Sequence, residues 1–287
     1  MRPTLKDLLH LLDRMAPFRL AETWDNSGLQ VGSASWEARG VHVALDPGIR
    51  ALKGAVESGC GVLLTHHPLL FRPLARVETD IYPGEVVKEA VRHEVAVVAM
   101  HTNLDAAPGG INDILAELLG LTDVEVLEES ESAAGAGIGR VGNLPAPVPA
   151  SEFLGRIGEI MGARHLGVVN PPRDPVRRVA VVGGSGGGLL RVSAEKRAQV
   201  LVTGDIGHHH ALEAGASGLC VVDAGHYRTE RCAMEVFSRR LGDAFLREGW
   251  HIPVHFDRDE KDPIERWSGR KGDGPSMRPP DSEVDDL

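Results

Sequence analysis

Two adjacent histidines, His66 and His67, close an apolar run that reads Val-Leu-Leu-Thr, and Pro68 follows them. In a continuing strand their side chains would point to opposite faces. Pro68 cannot extend a strand ladder, so the pair belongs to a loop leaving the strand, where both imidazoles can turn toward one cavity. Asp105, His226 and Glu230 carry matching chemistry. Imidazole with carboxylate suits borderline divalent metals, namely zinc, iron, manganese, cobalt or nickel, whereas magnesium and calcium sites use fewer histidines. A carboxylate has two oxygens and can join two cations. Glu230 is expected in the first turn of a helix, where the dipole favours a carboxylate. These five residues are the candidate ligands of a pair of divalent metal ions.

The elements that must position them occur twice along the chain. Residues 41–46, a helix and residues 61–65 match residues 179–183, a helix and residues 199–203. Thr65 follows Asp46 by 19 positions, and Thr203 follows Gly183 by 20. Each second strand ends in threonine and opens into a polar loop: Thr65-His66-His67 in one, Thr203-Gly-Asp-Ile-Gly-His208-His209-His210 in the other. The third strands match as well. Residues 95–100 run into His101, with Asp105 four positions on; residues 219–223 run through Ala-Gly into His226, with Glu230 four positions on. Packing the two repeats together would bring their strand-end loops into one crevice, where open α/β sheets place ligands.

The remaining histidines divide. His101, the repeat counterpart of His226, can serve as a ligand, as a proton shuttle or as an outer hydrogen-bond partner. His209 is expected as a pocket residue able to move a proton, with His208 and His210 on the loop surface. His101 and His209 are therefore the catalytic candidates beside the ligand set. His42, His93, His165, His251 and His255 are read as ordinary structural histidines. The run Gly183-Gly-Ser-Gly-Gly-Gly188 follows a strand and opens a helix. It can either present N–H groups to a phosphate or make a tight turn for close packing. It is not a Walker loop, and Leu189 stands where a dinucleotide fingerprint wants its last glycine.

Around these residues the pattern is α/β. Thr4 caps a first helix with Asp7 in its first turn, and Leu5, Leu8, Leu9, Leu12 and Met15 mark its apolar face. Strands alternating with helices imply mixed sheets covered on both faces. Residues 22–32 read as a polar loop. The expected organisation is a first α/β repeat over residues 1–126, a small β-α-β insert over 127–175, a second repeat over 176–267, and a disordered tail over 268–287 rich in Gly, Pro, Ser and charge.

Composition narrows the function classes. The net charge of −10 counts against a nucleic-acid partner and against an anionic membrane surface. Arg177 and Arg178 make only a small basic pair. No apolar run approaches the roughly 18 residues of a membrane span. The N-terminus has no signal core, and the three cysteines are oddly numbered and lack metal spacing. The expected setting is the cytoplasm.

The segments ETWDNSGLQVG (22–32), LLTHHPLLF (63–71), HTNLDAAPGGIND (101–113), VVGGSGG (181–187), TGDIGHHHALEA (203–214) and DAGHYRTE (223–230) resemble, in order, the NIF3-like family, whose members are often called GTP cyclohydrolase I type 2 homologs. The resemblance runs from about Leu5 to Trp267, and Asp262-Pro263-Ile264 looks like the family's end. It implies two intertwined α/β repeats with a dinuclear metal centre in the cleft between them, held by His66, His67, Asp105, His226 and Glu230, with Glu230 as the bridge. It also implies a homohexameric ring with the sites facing an internal cavity. This chain looks like the compact form of the family, and His210 stands where an acidic residue is common.

Two functional readings follow. In the first the chain is a metal-dependent hydrolase: two cations about 3.5–4 Å apart activate a bridging water against a small-molecule substrate, either a nucleotide such as GTP, opened at the purine C8, or a phosphoester or cyclic amide. In the second the metals serve a non-catalytic, metal-storing or interaction scaffold. Five protein ligands for two ions leave positions open to water, which favours chemistry.

Overall fold

The computed structural model describes residues 2–130 and 133–264. The expected tail over 268–287 lies outside the described residues. In chain order the first half carries α1 (Leu5–Met15), β1 (Gly28–Val31), β2 (Val41–Ala44), α2 (Ile49–Glu57), β3 (Val62–Thr65), α3 (Gly84–His93), β4 (Ala96–Ala99), α4 (Thr102–Ala106) and α5 (Ile111–Leu119). There follow β5 (Thr122–Glu129), β6 (Gly137–Val148), α6 (Ala150–Ile160), β7 (Gly167–Val169), β8 (Val176–Ser185), α7 (Leu190–Glu195), β9 (Val200–Gly204), α8 (His208–Ser217), β10 (Cys220–Asp223), α9 (His226–Arg247) and β11 (Val254–Phe256).

Two mixed sheets result, ordered β1-β4-β3-β2-β11 and β5-β6-β8-β9-β10-β7. Each contains a parallel triplet, β2-β3-β4 and β8-β9-β10, which are the repeated strands. Each triplet carries an antiparallel strand beside its third member, β1 on β4 and β7 on β10. The halves are intertwined, as expected: β11, near the C-terminus, pairs in parallel with β2 of the first sheet.

The triplet strands are continuous aliphatic runs because both of their faces are covered. Alternate residues take opposite sides. Val62 and Leu64 of β3 and Val200 and Val202 of β9 face a common central core that also holds Leu115 of α5 and Phe237 of α9. Leu63 faces an outer cluster under α2 and α3, and Leu201 faces another beneath α7 and α8. The order of layers is therefore helices, sheet, central helices, sheet, helices. Helix α1 starts as the sequence indicates: the Asp7 N–H donates to the Thr4 hydroxyl, and the Thr4 N–H donates back to the Asp7 carboxylate.

Three strands escaped the sequence pattern. β1 lies within the stretch read as a polar loop. β5 buries only Leu127 among the residues TDVEVLEE, so it carries almost no apolar signal. β11 spans three residues and owes its strand state to β2, far away in sequence. Residues 127–175 contain β6, α6 and β7, and β6 and β7 lie on opposite sides of the triplet β8-β9-β10 in the second sheet.

Phe237 is 2% exposed and sits between the two sheets. Phe237→Ala is expected to destabilise the fold by about 3–5 kcal/mol, read as a lower urea midpoint with an unchanged slope.

Candidate metal centre

The parallel strands of both sheets end at one crevice, and the predicted ligands meet there. The Thr65 hydroxyl donates to the His67 carbonyl at 2.7 Å, and the His67 N–H donates to the Leu45 carbonyl at 3.0 Å. The chain thereby turns off β3 with both imidazoles on one side, their rings 5.2 Å apart. His66 is wholly buried. Its Nε2 lies 3.5 Å from Glu230 Oε1 and 3.7 Å from Asp105 Oδ1. Glu230 Oε2 lies 3.1 Å from His67 Nε2 and 3.0 Å from His226 Nε2. All five predicted ligands are thus brought together, and Glu230 stands between His66 on one side and the pair His67 and His226 on the other.

A regularity explains the inward aim of the imidazoles. His66 Nδ1 lies 2.8 Å from the Met100 carbonyl, and His67 Nδ1 2.7 Å from Asp46 Oδ1. His101 Nδ1 lies 2.7 Å from Asp25 Oδ1, and His226 Nδ1 2.7 Å from Asp205 Oδ2. Each outer oxygen accepts from Nδ1–H, which turns Nε2 toward the cluster, the usual arrangement of histidines that bind metal. The buried atoms His66 Nε2 and Asp105 Oδ1 have no hydrogen-bond partner. Orphaned buried polar atoms are costly, and a cation would satisfy both. Two groups can each hold a metal ion, His66 with His67 and His101, and His67 with His226 and Glu230.

Charge is displaced accordingly. Burial raises the cost of charging His67, but hydrogen bonds to Asp46 and Glu230 outweigh it and push the pKa up to about 10. The hydrogen bond to Glu230 pushes His226 up to about 9 against its burial. Burial disfavours the Glu230 carboxylate, yet His66, His226 and His67 around it hold it well below the ordinary range. Asp105 goes the other way: burial raises its pKa.

Sequence reading missed the outer acids Asp25, Asp46 and Asp205. Asp46 lies two residues past β2 and Asp205 directly follows β9, at strand ends like the ligands themselves, and that placement was the available signal. Asp25 is fastened by the Ser27 hydroxyl at 2.8 Å and the Thr102 hydroxyl at 2.5 Å, inside the segment read only as a loop. Asn112 was missed as well. Its amide nitrogen donates to the Asp105 carbonyl at 3.0 Å, and its oxygen accepts from the Gly183 N–H at 3.0 Å, tying the halves together at the centre.

The histidine run is corrected by the structure. His208, His209 and His210 are not in a loop; they form the first turn of α8. Successive helical residues are rotated by about 100°, so the three cannot share one target. His209 is exposed, its ring 5.8 Å from that of His208, and it lines neither cavity beside the cluster. His210 instead packs over Gly187, where an added Cβ would lie 2.1 Å from His210 Nδ1.

The glycine run resolves to close packing. The Gly184 N–H donates to the Thr229 hydroxyl at 3.0 Å, and its carbonyl accepts from the Thr203 hydroxyl at 3.1 Å. A Cβ at Gly184 would lie 2.2 Å from Glu230 Oε1, at a backbone φ of +63°.

Above the cluster opens a cavity of about 510 Å³, lined by His67, His101, Asp105, His226 and Glu230 together with Trp24, Phe71 and Ile138. A second cavity of about 260 Å³ reaches His67 and His226 from the side of Asp46 and Asp205.

Fold and site together define a class: a duplicated α/β protein with a histidine–carboxylate cluster between its repeats. The Duf34/NIF3 family (NGG1p interacting factor 3) matches residues 3–263, and the chain belongs to it. It is 33% identical over 279 residues to a Streptomyces coelicolor protein named GTP cyclohydrolase 1 type 2 homolog, covering 96% of this chain and 97% of that one. A Lactococcus lactis protein of the same name is 34% identical, covering 91% and 98%. The crystal structure of a Staphylococcus aureus hypothetical protein superposes with a TM-score of 0.86 at 27% identity, covering 93% of this chain and 100% of that one.

Gly184→Ala is expected to displace Glu230 and to cost about 1–3 kcal/mol through the strained backbone. Gly188→Ala, which meets nothing within 4 Å, should be near neutral. Urea denaturation of the two variants side by side checks the contrast.

Proposed function

We propose that this chain is a metal-dependent hydrolase built on a pair of divalent ions. His66, Asp105 and Glu230 would hold one ion, and His67, His226 and Glu230 the other. The observation that carries the reading is the pair of buried, partnerless atoms His66 Nε2 and Asp105 Oδ1 beside Glu230, facing imidazoles whose other nitrogens are all tied outward. When bound, such a pair supplies Lewis acidity and a nucleophilic water at neutral pH.

The chain's own residues supply the rest. Asp46, Asp205 and the Met100 carbonyl fix the ligand imidazoles. His101 is held through Nδ1 by Asp25 and keeps Nε2 free at the cavity wall, beside His66 and His67. In this reading it would take a proton from the attacking water and return it to the leaving atom. His209, remote on α8, has no part in this reading. The relatives' name supports a nucleotide-like substrate; phosphoesters and cyclic amides fit the same machinery.

Family membership supports a homohexameric ring, and the unpaired Cys60, Cys220 and Cys232 support a reducing, cytoplasmic setting. Among the described residues no helix is long and apolar enough to cross a membrane.

The test joins metal analysis to a hydrolysis screen over GTP, other nucleotides, phosphodiesters and cyclic amides. The wild-type chain is expected to carry two ions and to turn over one of these classes, and Glu230→Ala to lose both ions and turnover. Asp46→Asn should weaken metal binding by about 10–100-fold. A fully loaded chain without turnover on any class, matched by Glu230→Ala, would establish the scaffold reading instead.

Loading must also release protons. A metal needs the neutral Nε2, while His67 and His226 are protonated in the metal-free chain below about 10 and about 9. Apparent metal affinity is therefore expected to rise with pH from neutrality toward about 9. Calorimetry in buffers of different ionisation enthalpy counts the protons, and a count of zero at pH 7 contradicts this charge assignment.

A further inference from the structure

The outer face of the first sheet gathers a second, separate set of donors. His42 of β2 is 8% exposed and lies beneath α2. Strand register places His255 of β11 directly beside it. The Asp257 N–H donates to the Val43 carbonyl at 2.8 Å, so the pairing runs one residue past β11. His255 and Asp257 are two positions apart and share one face, the face of His42. Two donors from one strand and a third from its neighbour thus meet. Read singly along the chain, His42 and His255 are ordinary structural histidines; only the pairing of β2 with β11 joins them.

Packing does not account for His42. Both of its ring nitrogens are buried and lack a hydrogen-bond partner. Its Nε2 lies 3.7 Å from Asp257 Oδ2. That is too long for a hydrogen bond. Two donors each about 2.0–2.1 Å from one tetrahedral cation, however, stand about 3.4 Å apart, and the same 3.7 Å separates His66 Nε2 from Asp105 Oδ1. Asp257 presents Oδ2 because its Oδ1 accepts the Asp259 and Glu260 N–H groups at 3.0 and 3.1 Å. Arg50 lines a small cavity with Asp257, but its guanidinium donates to the Asp259 carbonyl at 2.8 Å. Burial pushes the His42 pKa down, so the ring is neutral, the form that ligates a metal. A Cβ at Gly54 would lie 3.0 Å from His42 Nε2. Glycine weakens a helix interior, yet here it keeps that nitrogen clear.

We infer that His42, His255 and Asp257 form a third divalent-cation site, separate from the dinuclear centre and suited to zinc. The exposed His255 ring turns inward to complete it, and water takes the fourth position. Two imidazoles and one carboxylate select a borderline metal over magnesium or calcium. The bound ion fastens β11 to β2. Asp257 Oδ1 also holds the Glu260 N–H, and the Glu260 carboxylate holds the Asp46 N–H, so the ion steadies the segment that supports His67. The inference needs neither hydrolysis nor an occupied dinuclear centre.

The test is equilibrium dialysis of the full-length chain against zinc, with metal analysis, on the wild type, His255→Ala, Asp257→Asn and Glu230→Ala, and circular dichroism on each. His255 is exposed, so its removal leaves the core intact. The wild type is expected to hold one zinc ion that His255→Ala and Asp257→Asn bind at least about tenfold more weakly. Glu230→Ala is expected to lose the ions of the dinuclear centre and keep this one. Zinc should also slow hydrogen exchange at the amides of residues 254–256 in Glu230→Ala, and the added His255→Ala substitution should abolish that slowing. The inference is overturned if His255→Ala and Asp257→Asn bind zinc with wild-type stoichiometry and affinity, or if a folded Glu230→Ala chain binds none. Zinc lost in His255→Ala and untouched in Glu230→Ala would leave the inference standing and remove the dinuclear reading. Zinc lost in Glu230→Ala and untouched in His255→Ala would do the reverse.

Discussion

The structure depends on a single electrostatic constraint. Four imidazoles and two carboxylates crowd one buried crevice, and none of them can be solvated there as it would be in water. Burying such groups is unfavourable unless each finds a partner. The outer half of the problem is solved within the chain: Met100, Asp46, Asp25 and Asp205 accept from the Nδ1 side of His66, His67, His101 and His226. The inner half is only partly solved. Without a cation, protons must do the work, which is why His67 and His226 are held protonated and Glu230 ionised. Two inner atoms, His66 Nε2 and Asp105 Oδ1, still lack a partner.

The layered fold is what makes such crowding tolerable. The central helices α5 and α9 are clamped between two sheets whose strands are aliphatic on both faces, so the crevice sits on a rigid floor. Asn112 of α5 and Thr229 of α9 carry that floor into the site, since each accepts a backbone N–H from the glycine run. The C-terminal segment closes the other side. The Glu260 carboxylate accepts the N–H groups of Leu45 and Asp46 at 2.7–3.1 Å, and so positions the residue that tethers His67. Residues near both ends of the chain thus converge on one imidazole.

What was legible in the sequence was whatever carries a local signature. His66 and His67 announce themselves by adjacency at the end of an apolar run, and the triplet strands by unbroken aliphatic residues. Asp105, His226 and Glu230 emerge from the duplication. Illegible were the features set by distant pairing. Asp25 is a loop residue until Thr102 and His101 are brought to it. The strand state of β11 comes from β2, and the exposed acids of β5 hide a strand that only its neighbour β6 defines. The histidine run misled for a local reason: the helix begins at His208, not after it, and its turn scatters the three side chains.

The duplication also explains why the site is not symmetric. Strand register aligns Val41 with Val179 through their partners Val62 and Val200, but β8 shifts register between Val181 and Ser185, so the two strands part before they reach the site. The end of β2 leads to Asp46, the acid that holds His67; the end of β8 carries Gly184 instead, where a side chain would occupy the space of the Glu230 carboxylate. The same register sets His66 and His67 opposite Gly204 and Asp205. One repeat offers imidazoles while the other offers clearance and the acid that holds His226; a Cβ at Gly204 would lie 2.4 Å from the His226 nitrogen. Even the shared spacing of histidine and carboxylate is displaced by one residue: His101 is the N-cap of α4, whereas His226 is the first helical residue of α9, after the cap Gly225. That step puts Glu230 between the two imidazole groups while Asp105 stays beside His66. Two identical halves would place like against like across the crevice, histidine against histidine and acid against acid. The cluster exists because the halves share a backbone and diverge at the few positions where their strand ends meet.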